Sequence, residues 1–207
     1  MRSAGRTDRG VPDAGADQCL VVSVVSDSKP AIVPTTTLKR VPRELDFLFV
    51  PGGGDGTLAA MEDKDVLAFL ADGGSRAKWV TSVCTGSLVL GAAGLLKGYK
   101  ATSHRATRSL LKDAGAIETE GCVVRDRNRI TGAGVSAGLD RGLTLVGMLP
   151  DQAYAETVQL LAEYAPEPPF NAGSPSTAPL AVKDMTEGMF PDFKARAQSS
   201  LRKRMAP

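Results

Sequence analysis

"VTSVCTGSLVLGAAGLL", residues 80–96, sets a single cysteine between a run of small β-forming residues and a run of helix formers. A nucleophile elbow needs this order: a strand, a tight turn holding the nucleophile in a strained conformation, then a helix. Ser82, two residues before Cys84, and Gly86, two after, leave room for such a turn to close. A helix starting there would aim free amides and its positive dipole end at the sulfur. That favours the thiolate, and cysteine pKa values at such sites fall from about 8.5 to as low as ~3.5. A cysteine used only for packing can sit anywhere on an apolar face. The spacing and flanks favour Cys84 as a nucleophile.

A second stretch works with the first. In "FVPGGGDG", residues 49–56, a strand ends at Pro51 and runs into Gly52, Gly53 and Gly54. Backbone N–H groups there have no side chains in the way and can stabilise charge developing on a substrate atom; one good donor contributes about 3 kcal/mol. A phosphate-binding loop would end in Lys-Ser/Thr, which is missing. Alone, the stretch reads as an ordinary glycine turn; beside an elbow it reads as a donor loop.

The rest of the chain alternates strand and helix patterns. Strands are expected at 19–26, 45–51, 78–83, 121–126 and 128–134, with a loop from the first to about Arg43. Helices are expected at 61–74, 85–98, 101–116 (Ser103 as N-cap, Gly115 as C-cap), 136–149 and 151–165, the last capped by Asp151. A Pro-rich connector, 166–179, leads to a weaker helical tail, 180–207. Such alternation implies a mostly parallel sheet covered on both faces.

Composition narrows the function classes. The 207 residues suit one α/β domain, and 43% hydrophobic residues can build a sizeable core. Twenty-five basic against 23 acidic residues give a net charge of +2, which argues against nucleic-acid binding; the cluster "SSLRKR" reads as a solvated helix end. Cys19, Cys84 and Cys122 are too few and too scattered for a disulfide framework and suit a reducing, cytoplasmic setting. A single histidine, His104, leaves too few ligands for a His/Cys zinc site. No signal peptide or membrane-spanning run is seen.

"PGG" after one strand and "SVCTGSLVLGAAGLL" after another resemble the ThiJ/PfpI superfamily, which shares its fold with class I glutamine amidotransferases. Together with "VVRDRNRITGAG", "AGLDRGLTL" and "EYAPEPPFNAGSP", they resemble its isocyanide hydratase branch, over about Leu45 to Pro179. The resemblance implies α/β architecture: a flavodoxin-like three-layer sandwich with a mostly parallel central sheet and a nucleophile elbow. It makes 19–179 the ThiJ/PfpI-like domain.

The residue roles follow from the same resemblance. Cys84 matches the nucleophile, Thr85 the neighbour whose amide and hydroxyl face the site, and Gly52 and Gly53 the second donor loop. Some relatives carry histidine directly after the cysteine; Thr85 excludes that pair here. His104 is a candidate pocket residue, with a structural or capping role as the alternative. The related hydratases have Trp, Arg and Phe where this chain has Arg105, Cys122 and Arg141. Residues 1–18 are expected to be disordered or a misassigned start, and the superfamily's first strand-and-helix unit, with its acidic side chain, to be missing. Asp13 and Asp17 match no motif.

The implied activity is a hydro-lyase reaction: Cys84 adds to an isocyanide, and water resolves the thioimidate to an N-substituted formamide. No metal or organic cofactor is required. The implied partners are a small-molecule substrate and a second copy in a homodimer, with neither nucleic acid nor membrane. A non-catalytic or redox-sensing domain and an inactive truncated paralogue are the alternatives.

Overall fold

A computed structural model describes residues 24–26, 29–149 and 151–205. The chain divides into two compact units, with the boundary between Val41 and Pro42. In the first, β1 (Val24–Val25) pairs antiparallel with β2 (Ala31–Ile32). The expected loop to about Arg43 contains β2, a correction to the sequence reading. A two-residue strand is too short for alternation to register. The rest of the expected strand at 19–26, and the expectation for residues 1–18, lie outside the described residues.

The second unit is built on a four-stranded sheet. β3 (Phe47–Val50), β4 (Trp79–Val83) and β8 (Arg129–Gly132) run parallel; β7 (Val123–Asp126) pairs antiparallel with β8. The order is β3-β4-β8-β7. Period-two alternation sends Leu48 and Val50 into the core and Phe49 to the other face. β5 (Lys100–Ala101) and β6 (Ile117–Glu118) form a separate parallel pair.

Helices cover the sheet. α1 (Asp55–Glu62), α2 (Lys64–Arg76) and α3 (Gly86–Ala92) contribute Met61, Leu67, Leu70, Leu88 and Leu90 to one hydrophobic core with Leu48 and Val80. α4 (Ala137–Met148) follows β8, and α5 (Gln152–Leu161) packs on it. α6 (Leu180–Glu187) and α7 (Pro191–Met205) end the described chain. α7 is no loose appendage: Ala197 and Leu201 are fully buried in the main core. This is the flavodoxin-like sandwich that the family resemblance implied, with the mainly parallel sheet expected from the strand–helix alternation.

Three helices differ from their sequence reading. The helix expected at 61–74 is two, α1 and α2, because the Asp63 carboxylate turns back to accept the N–H groups of Asp65 and Val66 at 2.8 and 3.1 Å. The helix expected at 85–98 ends at Ala92, before Gly94 adopts φ +77°. The segment 101–116 is helical only over Arg108–Ala114, as a 3₁₀ helix closed by left-handed Gly115. Asp151 caps α5 as expected, accepting the Tyr154 N–H at 2.7 Å.

Candidate active site

The end of β4 and the start of α3 meet at Cys84, whose φ is +57°. A β-carbon in the left-handed region crowds the backbone and costs on the order of 1–3 kcal/mol, so the surroundings must enforce it. Both sides of the residue are tied. The Cys84 N–H donates to the carbonyls of Gly132 and Ala133 at 3.0 and 2.7 Å, and its own carbonyl accepts the Ser103 hydroxyl at 2.9 Å. Helix α3 starts two residues later, on Gly86, because nothing larger fits: a β-carbon there would stand 2.3 Å from the Val50 carbonyl oxygen. The strand–turn–helix elbow legible in residues 80–96 is present.

The glycine loop presses against it. A β-carbon on Gly52 would lie 2.6 Å from Cys84 Cβ and 3.0 Å from the Thr85 nitrogen. Gly53 is linked to Thr85 twice: its N–H donates to Thr85 Oγ1 at 2.9 Å, and the Thr85 hydroxyl lies 2.8 Å from its carbonyl oxygen. The Thr57 hydroxyl joins them, 2.9 Å from Thr85 Oγ1 and 3.1 Å from the Gly53 carbonyl. This corrects the expectation for Gly53. Its amide is engaged by Thr85 Oγ1 and is not open as an oxyanion donor in this arrangement.

The thiol also differs from expectation. Burial pushes the Cys84 thiol up from its ordinary value of 9.0, while the Thr85 backbone and hydroxyl pull the other way more weakly. Desolvation penalises the charged form, and among the described lining residues there is no Lys or Arg to offset it. The resting group is therefore the neutral thiol, not the thiolate anticipated from the helix terminus.

Cys84, Thr85, Gly52, Gly53 and His104 all line one cleft of about 470 Å³. The sequence reading brought these five together. It missed Thr57, which locks the loop to the elbow, and Val135, Phe190 and Phe193, which give the cleft its apolar walls. His104 has a structural tie as well as a place on the wall: its Nδ1 accepts the Ala106 N–H at 3.2 Å, leaving the proton on Nε2. Burial, with neighbouring Arg105, lowers its pKa from 6.5, so the ring is neutral. Ser103, expected to cap a helix, instead holds the Cys84 carbonyl. Among the described lining residues none is Asp or Glu.

The residues noted as unusual lie elsewhere. Arg105 donates to the Thr186 hydroxyl at 2.8 Å, and Cys122 is exposed. Arg141 lays its guanidinium 4.3 Å from the Phe49 ring centre and reaches Thr81 Oγ1 at 3.4 Å. Gly173, Ser174 and Pro175 of "PPFNAGSP" line a second, polar cleft of about 480 Å³, which shares His104 with the first.

Comparisons with known proteins bear on the family and the fold. The DJ-1/PfpI family profile matches residues 16–148. The chain is 48% identical to the isonitrile hydratase of Pseudomonas putida over 184 residues, covering 89% of this chain and 77% of that one. This extends beyond the stretch from Leu45 to Pro179. The crystal structure of a ThiJ/PfpI family protein from Pseudomonas syringae superposes with a TM-score of 0.86 at 58% identity, covering 88% of this chain and 75% of the other. Drosophila melanogaster DJ-1beta shares the fold, with a TM-score of 0.63 at 24% identity, over 70% of this chain and 79% of its own.

Proposed function

The chain belongs to the DJ-1/PfpI family, and from that premise we propose that it hydrates an isocyanide to an N-substituted formamide, with Cys84 as nucleophile. The observation that carries the proposal is Cys84 held on a strained elbow at φ +57°, in a cleft whose described lining has no formally charged side chain. An isocyanide carbon takes up a nucleophile and a proton at the same atom. A thiol supplies both.

In this reading the sulfur bonds to the terminal carbon, and the thiol proton ends on that carbon, giving the thioimidate S–CH=N–R. Water then adds across the C=N bond, and its two protons are distributed between nitrogen and sulfur. The C–S bond breaks, leaving the formamide HC(=O)–NH–R and restoring the Cys84 thiol. Thr85 serves by fixing the elbow and favouring negative charge on sulfur during attack. With Gly53 engaged, the Thr85 amide and the Gly52 peptide are the remaining backbone candidates for the second role. In this reading neutral His104, which lines the cleft and carries its proton on Nε2, serves as a proton donor.

A redox sensor would favour a low-pKa thiolate. The upward shift of Cys84 weighs against that reading. We further propose that the protein works as a homodimer in the cytoplasm. The test is formamide production from a simple alkyl isocyanide. Turnover that vanishes in Cys84→Ala supports the proposal; no turnover from the folded protein overturns it.

A further inference from the structure

The cleft is made from two parts of the chain. The elbow, the glycine loop and His104 surround the sulfur, whereas Phe190 and Phe193 reach it from the link between α6 and α7 and from the first turn of α7. Phe193 also packs against the main core and is fixed by it. Phe190 lies in the link itself, its ring centre 5.5 Å from that of His104 at an interplanar angle of 49°.

Two polar contacts flank this link. On one side the Arg105 guanidinium donates to the Thr186 hydroxyl at 2.8 Å, tying the end of α6 to the residue after His104. On the other, Arg196 reaches the Asp55 carboxylate at 2.8 Å, tying α7 to the residue after the glycine loop. Fully buried Ala197 and Leu201 anchor the helix beneath. The Phe190 ring is tilted against His104 on the cleft wall, with one of these polar contacts on either side of its link.

We infer that Phe190 is a specificity-determining residue, setting the size of the uncharged apolar group that can stand beside Cys84, and that α6 and α7 form the specificity element of this cleft. The inference deepens the isocyanide reading and rests on it for the identity of the substrate. Removing the ring opens space against His104, which bulky substituents can fill and compact ones cannot. An ionised substituent would enter a wall without a charged partner and is disfavoured whatever stands at 190.

The experiment compares the intact chain with Phe190→Ala and Phe190→Leu on ethyl, cyclohexyl and carboxylate-bearing isocyanides. The expected result is a shift of about tenfold in the cyclohexyl-to-ethyl ratio of kcat/KM for Phe190→Ala, carried by KM, with Phe190→Leu between. The carboxylate-bearing compound stays a poor substrate throughout. An equal loss on all substrates, or ready turnover of the carboxylate compound, overturns the inference. Peptide-resolved labelling of Cys84 by N-methylmaleimide and N-cyclohexylmaleimide reads the same wall without any turnover. A shifted labelling ratio in a protein that hydrates no isocyanide would sustain the role of Phe190 and remove the substrate; an unshifted ratio would remove the role.

Discussion

Ser103 Oγ donates a 2.9 Å hydrogen bond to the carbonyl of Cys84, so the residue before His104 holds the strained residue of the elbow. Ser103 is fully buried, and the Thr107 hydroxyl 3.2 Å away is its other neighbour. Ser103→Ala leaves the Cys84 carbonyl without this donor. It is expected to lower stability by about 1–3 kcal/mol. Urea unfolding should show a lower midpoint at an unchanged slope, and Cys84 alkylation should change rate because the turn is released.

The close approach of Gly52 to Cys84 makes a separate prediction. Gly52→Ala forces a methyl group to within 2.6 Å of Cys84 Cβ, so elbow or loop must move. A misplacement near 1 Å costs about a hundredfold in rate. Formamide production should fall by about that factor while the circular dichroism spectrum stays the same. Gly86→Ala is more severe, since the β-carbon would meet the carbonyl oxygens of Val50 and Pro51, both backbone atoms, at 2.3 and 2.6 Å. It should destabilise by more than the ~1–3 kcal/mol of ordinary overpacking.

The two shifted groups of the cleft set a pH window. Cys84 is raised above 9.0 in the folded chain, so there the folded state holds more protons than the unfolded one, and stability falls as pH rises past 9.0. His104 is lowered below 6.5, so the unfolded state holds more protons on the acid side, and stability falls as pH drops below 6.5. Between these values neither group contributes a slope. Denaturant midpoints from pH 5 to 10 should show a shoulder at each end: His104→Gln removes the acid one and Cys84→Ala the alkaline one. The rate of Cys84 alkylation by iodoacetamide should still be climbing above pH 9.

Much of this site was legible because its signals are local. The strand ending at Val83, the glycines at 52 and 86 and the helix formers after Thr85 fall within short windows, and each is fixed by sterics that leave few alternatives. The break at Asp63 was not legible, because the acidic run "MEDKD" equally resembles the start of one helix. Thr57 was missed and Ser103 was given a helix cap instead, because their partners are 28 and 19 residues away and hydroxyls carry no period. The thiol was misjudged for a different reason. Helix formers after a cysteine announce a dipole, whereas what opposes it is burial of the sulfur, which depends on segments distant in the chain and carries no local signal.

The C-terminal helix carries the last prediction. Residues 180–207 read as a weak tail because α7 is rich in charge, with Arg202, Lys203 and Arg204 in its final turn. Few apolar positions remain, yet two of them, Ala197 and Leu201, are fully buried, and Arg204 donates to the Met61 carbonyl at 3.2 Å. A helix that docks through a narrow stripe depends heavily on each residue in it. Leu201→Ala removes a buried side chain and should cost about 2–5 kcal/mol. If α7 is integral to the core, thermal unfolding of that variant stays a single transition at lower temperature, and labelling of Cys84 speeds up as Phe190 and Phe193 loosen. A wild-type midpoint with faster labelling would instead mean that α7 peels away on its own, leaving the sheet and its other helices intact.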